Sequence, residues 1–87
     1  MKIITLCIFF ALTSIAHARF DTITIGGKVI ATGDRSSKLR DVAGRPESVF
    51  DIRNQLGGKI GETWEYTISG KIVSFDIYSG EIAAIND

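Results

Sequence analysis

"ETWEYTISGKIVSFDIY", residues 62–78, contains two alternating runs joined by Ser69-Gly70. Trp64, Tyr66 and Ile68 alternate with Thr63, Glu65 and Thr67, and Val73, Phe75 and Ile77 repeat the period on the far side of the turn. A period of two is the signature of a half-buried strand. A two-residue turn sets Tyr66 opposite Val73 and Trp64 opposite Phe75. Both pairs then fall on the apolar face, so turn and pattern specify the same register.

Working outward, Ser79-Gly80 marks a second turn, into "EIAAIND". Ile82 and Ile85 are three apart, so both face a core only if a bulge or a frayed end intervenes. Upstream, "ESVFDIRN" alternates Phe50 and Ile52 against Asp51 and Arg53, which predicts a strand with the first two inward. Between these strands, "NQLGGKIG", residues 54–61, reads as a mobile Gly-rich loop.

Before Pro46 the period changes. Leu39, Val42 and Ala43 fall at i, i+3 and i+4, one apolar stripe on a helix of about two turns. Gly33-Asp34 starts it, with Asp34 or Ser36 accepting a free amide of the first turn. Gly44 takes the left-handed conformation that ends a helix, and Pro46 prevents its resumption. Further upstream, "FDTITIGGKVIATGD" places two short β-prone runs around Gly26-Gly27, a hairpin with Ile23 and Ile25 on one face.

The first 18 residues have another character. Lys2, an apolar run from Ile3 to Leu12 and the small-x-small "AHA" at residues 16–18 make a secretory signal peptide with cleavage after Ala18. The run is too short for a membrane span. Leu6 before Cys7 is too large for a lipidation site. Cleavage of 18 of the 87 residues leaves 69, with the only Cys, Met and His removed. Lys2 is the only charge lost, so ten acidic side chains face nine basic ones. That balance offers no footprint for nucleic acid or an anionic membrane. Without thiolate or imidazole, zinc sites, disulfides and Cys or His catalysis fall away. One domain, residues 19–87, is expected, with a small stability margin that favours support from a partner or a homodimer.

The order Gly33, Leu39, Gly44, Pro46, then Trp64-x-Tyr66, then "VSFDIYSGEIAAI", resembles the SmpA/OmlA family of small outer-membrane lipoproteins. The likeness is closer still to short secreted bacterial domains of unassigned function that carry Gly-Asp, Gly-x-Pro, Trp-x-Tyr and Phe-x-x-Gly in this order. Gly33-Asp34, Trp64-Glu65-Tyr66, Phe75, Gly80, Ile82 and Ile85 fit that series. The resemblance spans about residues 28 to 86 and implies an α+β fold: one short helix on an antiparallel sheet of three to four strands, with an N-terminal β-hairpin. It implies a scaffold or protein-binding role and supplies no catalytic residues. The chain departs from the lipoproteins in having no lipobox, and from the other relatives in having Ala43 where they carry Cys.

Each functional signal has a structural counterpart. Trp64 and Tyr66 suit a stacking platform, but a same-face aromatic pair fits the core of a small domain better. Asp51, Glu65 and Asp76 suit a solvated sheet face better than an acid pair, which needs apolar surroundings to raise one pKa. "LGGKIG" lacks the strand–loop–helix context of a phosphate cradle. Val49, Ile72 and Tyr78 are out of phase with the core stripe; they form a partner face or lie under the first hairpin. The expected core is Leu39, Val42, Phe50, Ile52, Trp64, Tyr66, Ile68, Val73, Phe75, Ile77 and Ile82. The expected function is an exported, non-enzymatic protein-binding or scaffold module of the bacterial cell envelope, periplasmic or secreted. It takes no cofactor and no metal, and binds another envelope protein or a second copy of itself. The alternative is a secreted inhibitor-like module that blocks an enzyme.

Overall fold

The computed structural model describes residues 19–87. The expected signal peptide, with Cys7, His17 and the expected cleavage after Ala18, lies outside the described residues. Seven strands and one helix follow in the order β1 (Arg19–Phe20), β2 (Thr22–Ile25), β3 (Lys28–Ala31), α1 (Ser36–Ala43), β4 (Ser48–Arg53), β5 (Lys59–Ile68), β6 (Lys71–Tyr78) and β7 (Glu81–Asn86). An antiparallel five-stranded sheet runs β1-β7-β6-β5-β4, and β2 and β3 form a separate hairpin. The fold of the described residues is therefore mostly β, 59% of them strand against 12% helix, and not the α+β arrangement on three or four strands that the resemblance implied. Two features make the difference. Arg19 and Phe20 pair with Asn86 and Ile85 and add a fifth strand. The segment read as a loop through Gly61 instead starts β5 at Lys59, making it ten residues long.

The central hairpins follow local turn chemistry. Trp64 pairs with Phe75 and Tyr66 with Val73, as the turn and pattern required. Ser69 (φ 52°) with Gly70 (φ 81°), and Ser79 (φ 53°) with Gly80 (φ 76°), both have positive φ at each central position, the turn whose twist matches paired strands. Ile82 and Ile85 are both buried because the β6–β7 register shifts between them: Asp76 faces Ala84 while Ile77 faces Ile82. Ala83 is the extra residue of that bulge.

One face of the sheet carries the core. Trp64, Tyr66, Val73, Phe75, Ile77, Ile82 and Ile85 are buried there with Ile30 of the hairpin and Leu39 of the helix. Val42, Ala43 and Ile68 pack against this cluster from its margin, as do Phe20, Ile23 and Ile25. The Tyr66 ring meets Phe75 edge-on at 5.6 Å, and its hydroxyl donates to the Gly44 carbonyl at 2.8 Å, tying the helix end to the sheet. Burial raises the Tyr66 pKa above its ordinary value, partly offset by Arg40.

The helix signals hold in part. Gly44 ends α1, its amide bonded to the Arg40 carbonyl, but at φ 82°, ψ −157° it is outside the left-handed helical region, in backbone space essentially reserved for glycine. Pro46 lies in the link to β4. The start is different. Arg35 is the N-cap residue, in extended conformation and without a side-chain cap bond. The Asp34 carboxylate instead accepts the Ala31 amide (2.8 Å) and Lys38 Nζ (3.1 Å). Those contacts, the Ala31 amide first, hold its pKa below the ordinary aspartate value. Gly33 (φ 94°) donates to the Ile82 carbonyl at 2.7 Å, and the Asp34 carbonyl accepts the Ile82 amide at 2.8 Å. Gly33-Asp34 is thus a junction between hairpin, helix and β7, because its polar groups meet β7 before the helix begins.

Candidate functional site

The face of the five-stranded sheet opposite the core has no covering layer among the described residues. Register fixes which side chains it presents, since residues directly opposite across an antiparallel pair share a face. Ile52 faces Gly61 and Phe50 faces Thr63, while Val49 faces Trp64. Phe50 and Ile52 therefore lie on the open face rather than in the core expected for them. Phe50 is 53% exposed and Ile52 half-buried. The physical reason is the position of β4. Helix and hairpin cover β5, β6 and β7, leaving no apolar layer over β4 that would draw Phe50 inward. The β4–β5 turn and a register shift between Ile52 and Arg53 then decide the facing.

Tyr78 completes this patch. An ideal Cβ at Gly61 would lie 2.9 Å from Tyr78 Cδ1 and 3.1 Å from Cε1, so the phenol ring lies across the glycine. Glycine is required here first by the Ile77 carbonyl oxygen, 2.5 Å from that Cβ, and then by the ring. Ile52, Gly61 and Tyr78 form one row across three strands, and Phe50, Thr63 and Asp76 the next. The Thr63 hydroxyl donates to Asp76 at 2.9 Å, giving the apolar row a polar border.

The three residues considered as a partner face separate. Tyr78 lies on the open face as supposed. Ile72, 62% exposed, lies on the same face six residues back along β6, about 20 Å away at strand rise. It lines a recess with Glu65, Ser74, Asn86 and Asp87. Val49, 48% exposed, lies on the Trp64 side, where α1 does not reach. Sequence reasoning missed Phe50 and Ile52 as surface residues. The only local hint is that Gly61 interrupts an alternating strand.

On the core side, the rim beside Val49 is charged. Trp64 is 8% exposed, its indole donates to Glu62 at 2.9 Å, and the Arg40 guanidinium lies 5.8 Å from its ring centre. Trp64 is thus a core residue with a polar tip, not a stacking platform. Glu62 also accepts from Lys59 at 2.7 Å. That ammonium first, and the indole second, hold the Glu62 pKa down, while Glu62 raises that of Lys59. Asp51 pairs with Arg53 at 2.8 Å and Lys59 at 3.5 Å.

Asp51 is therefore on the core-side rim while Glu65 and Asp76 lie on the open face, so the three carboxylates do not converge. Among the described residues no group of three or more His, Cys, Asp or Glu side chains is placed to hold a metal ion. The 54–58 loop is closed internally, with the Asn54 side-chain oxygen accepting the amides of Leu56 and Gly58, each at 2.9 Å. Those amides are occupied within the loop, which argues against a phosphate cradle. No helix among the described residues is long and apolar enough to cross a membrane.

No family model matches this chain, and neither a curated protein nor a solved structure matches it significantly.

Proposed function

We propose that the chain is an exported, non-enzymatic module of the bacterial cell envelope that binds another envelope protein through the open face of its sheet. Phe50, Ile52 and Tyr78 are the contact residues. The observation that carries this reading is an apolar patch on an uncovered sheet face, with Ile52 and the Tyr78 ring either side of Gly61 and Phe50 in the adjacent row, bordered by Thr63 and Asp76. Aromatic residues with a polar border are the usual composition of a binding patch. The separation of Asp51 from Glu65 and Asp76 supports the non-enzymatic part. The leader-like first 18 residues support export, and the resemblance to envelope lipoproteins supports the compartment.

A photo-crosslinking amino acid placed at position 50 or 78 in cells tests the proposal, with position 29 on the outer side of the hairpin as the control. Discrete adducts with one envelope protein at the first two positions and none at the third are expected. No adduct at either, or the same adducts at all three, overturns the proposal.

A further inference from the structure

The two edges of the five-stranded sheet differ. Beyond β7, the edge is occupied twice: Arg19 and Phe20 pair with it at one end. At the other end the Gly33 amide bonds to Ile82, the Ser36 amide to Gly80, and the Ile82 amide to Asp34. The bulge at Ala83 separates the two closures. β4, by contrast, pairs with β5 on one side and with nothing on the other among the described residues.

Ladder parity shows which groups β4 presents. Ile68 and Lys71 close a two-residue hairpin, which makes them a hydrogen-bonded pair. Alternate residues of β5 from Ile68 back to Glu62 therefore bond toward β6, and Gly61, Thr63 and Glu65 bond toward β4. The Glu47 amide bonded to the Glu65 carbonyl at 2.8 Å agrees with this parity. On β4 the partners are Ser48, Phe50 and Ile52, so Val49 and Asp51 direct their amide and carbonyl groups outward.

We propose that this free edge pairs antiparallel with β4 of a second copy of the chain, with Phe50 opposite Phe50 at the two-fold axis. In this register Val49 bonds reciprocally with Asp51 of the other copy through the four outward amides and carbonyls. The central Phe50 pair occupies a non-hydrogen-bonded position, where facing side chains come closest. Both neighbouring registers are worse: one sets Asp51 against Asp51, and the other, centred on Val49, sets Glu47 against Asp51, like charges directly opposite in each case. The next one along, centred on Ile52, pairs only three strand residues. The chosen register puts Val49 against Asp51 and Ser48 against Ile52, with no like charges facing. Two sheets joined this way form one ten-stranded sheet, with the Phe50–Ile52–Tyr78 rows of both copies meeting on the open face. That face stays uncovered, so this edge contact succeeds or fails independently of partner binding there. An isologous edge of this length is at the small end of interface sizes, so association in the micromolar-to-millimolar range is expected.

Sedimentation equilibrium over that range reads the dimer. Asp51→Pro removes one outward amide while leaving the ladder to β5 intact, a placement that edge strands tolerate. It is expected to weaken dimerisation at least about tenfold, with circular dichroism confirming the fold. Independently, in a Cys7→Ser background, Phe50→Cys places two thiols about 4.5 Å apart at the Cα level, within disulfide reach. These chains are expected to oxidise to a covalent dimer, and Ile72→Cys chains at the same concentration to remain monomeric. If Asp51→Pro fails to fold, the Phe50→Cys and Ile72→Cys comparison decides alone. A monomer at every concentration, a dimer undiminished in folded Asp51→Pro, or equal cross-linking at both positions overturns the proposal. A monomer that adds a foreign extended peptide to β4 overturns the second-copy partner as well.

Discussion

Gly61→Ala tests the packing that creates the open-face patch. An ideal Cβ at this position lies 2.5 Å from the Ile77 carbonyl oxygen, 2.9 Å from Tyr78 Cδ1 and 3.1 Å from Tyr78 Cε1. The ring has a route of escape by rotating away from the sheet, whereas the carbonyl belongs to the β5–β6 ladder. Overpacking of this kind costs about 1–3 kcal/mol, and two simultaneous obstacles, one of them backbone, place Gly61→Ala in the upper half. Replacing a strand glycine returns about 0.5–1 kcal/mol of backbone entropy. The net expectation is a loss of about 1–2 kcal/mol. For a domain of this size that lowers Tm by roughly 4–16 °C, followed by circular dichroism. A double variant divides the cost. Tyr78→Ala in the Gly61→Ala background removes both ring contacts but not the Ile77 oxygen, so the two changes together cost less than their sum. A Gly61→Ala protein melting within a degree or two of the parent refutes the placement of Tyr78 over Gly61. Strict additivity assigns the whole penalty to the backbone.

Other outcomes follow from the same geometry. Trp64→Ala empties a buried site and strands Glu62 and Arg40 contacts, so a loss of about 3–5 kcal/mol is expected in urea unfolding; parent-like stability would place the indole outside the core. Gly44→Val forces a β-branched residue into glycine-only backbone at a cost of about 1–3 kcal/mol, whereas Gly58→Val, whose nearest neighbour is the Asn54 side chain, costs less than about 1 kcal/mol; equal melting temperatures refute the helix stop. Asp34 has a depressed folded-state pKa, so its contribution is present above the unfolded aspartate pKa and is lost as pH falls through the folded one. Asp34→Asn should therefore lose less stability than the parent below about pH 4, and parallel Tm–pH curves for the two proteins contradict this.

Local chemistry made the centre of the sheet readable. A two-residue turn leaves one register open, and in the Ser69-Gly70 hairpin that register also aligns Trp64 with Phe75 on a single apolar face. The three-residue spacing of Ile82 and Ile85 demanded a bulge because strand period is two, and the register shift at Ala83 supplies it. Gly26-Gly27 likewise forms its expected hairpin, with Ile23 opposite Ile30. In each case the deciding contacts are between neighbours in the chain.

Placement at the periphery depended on the tertiary structure. Alternation in β4 favours Phe50 and Ile52 inward, but alternation determines facing only where one side is buried, and α1, with eight residues, does not extend over this edge. Asp34 looks like a helix cap in sequence, yet Ala31, Lys38 and the β7 backbone take its hydrogen-bonding groups first. Arg19 and Phe20 carry no strand pattern of their own; they become β1 because Asn86 and Ile85, more than sixty positions away, present an edge to pair with. Sequence by itself determined the hairpins, the core stripe and the helix stop, whose causes are turn geometry and period. Tertiary structure decided which apolar residues remain outside, because that depends on how far the covering layer reaches.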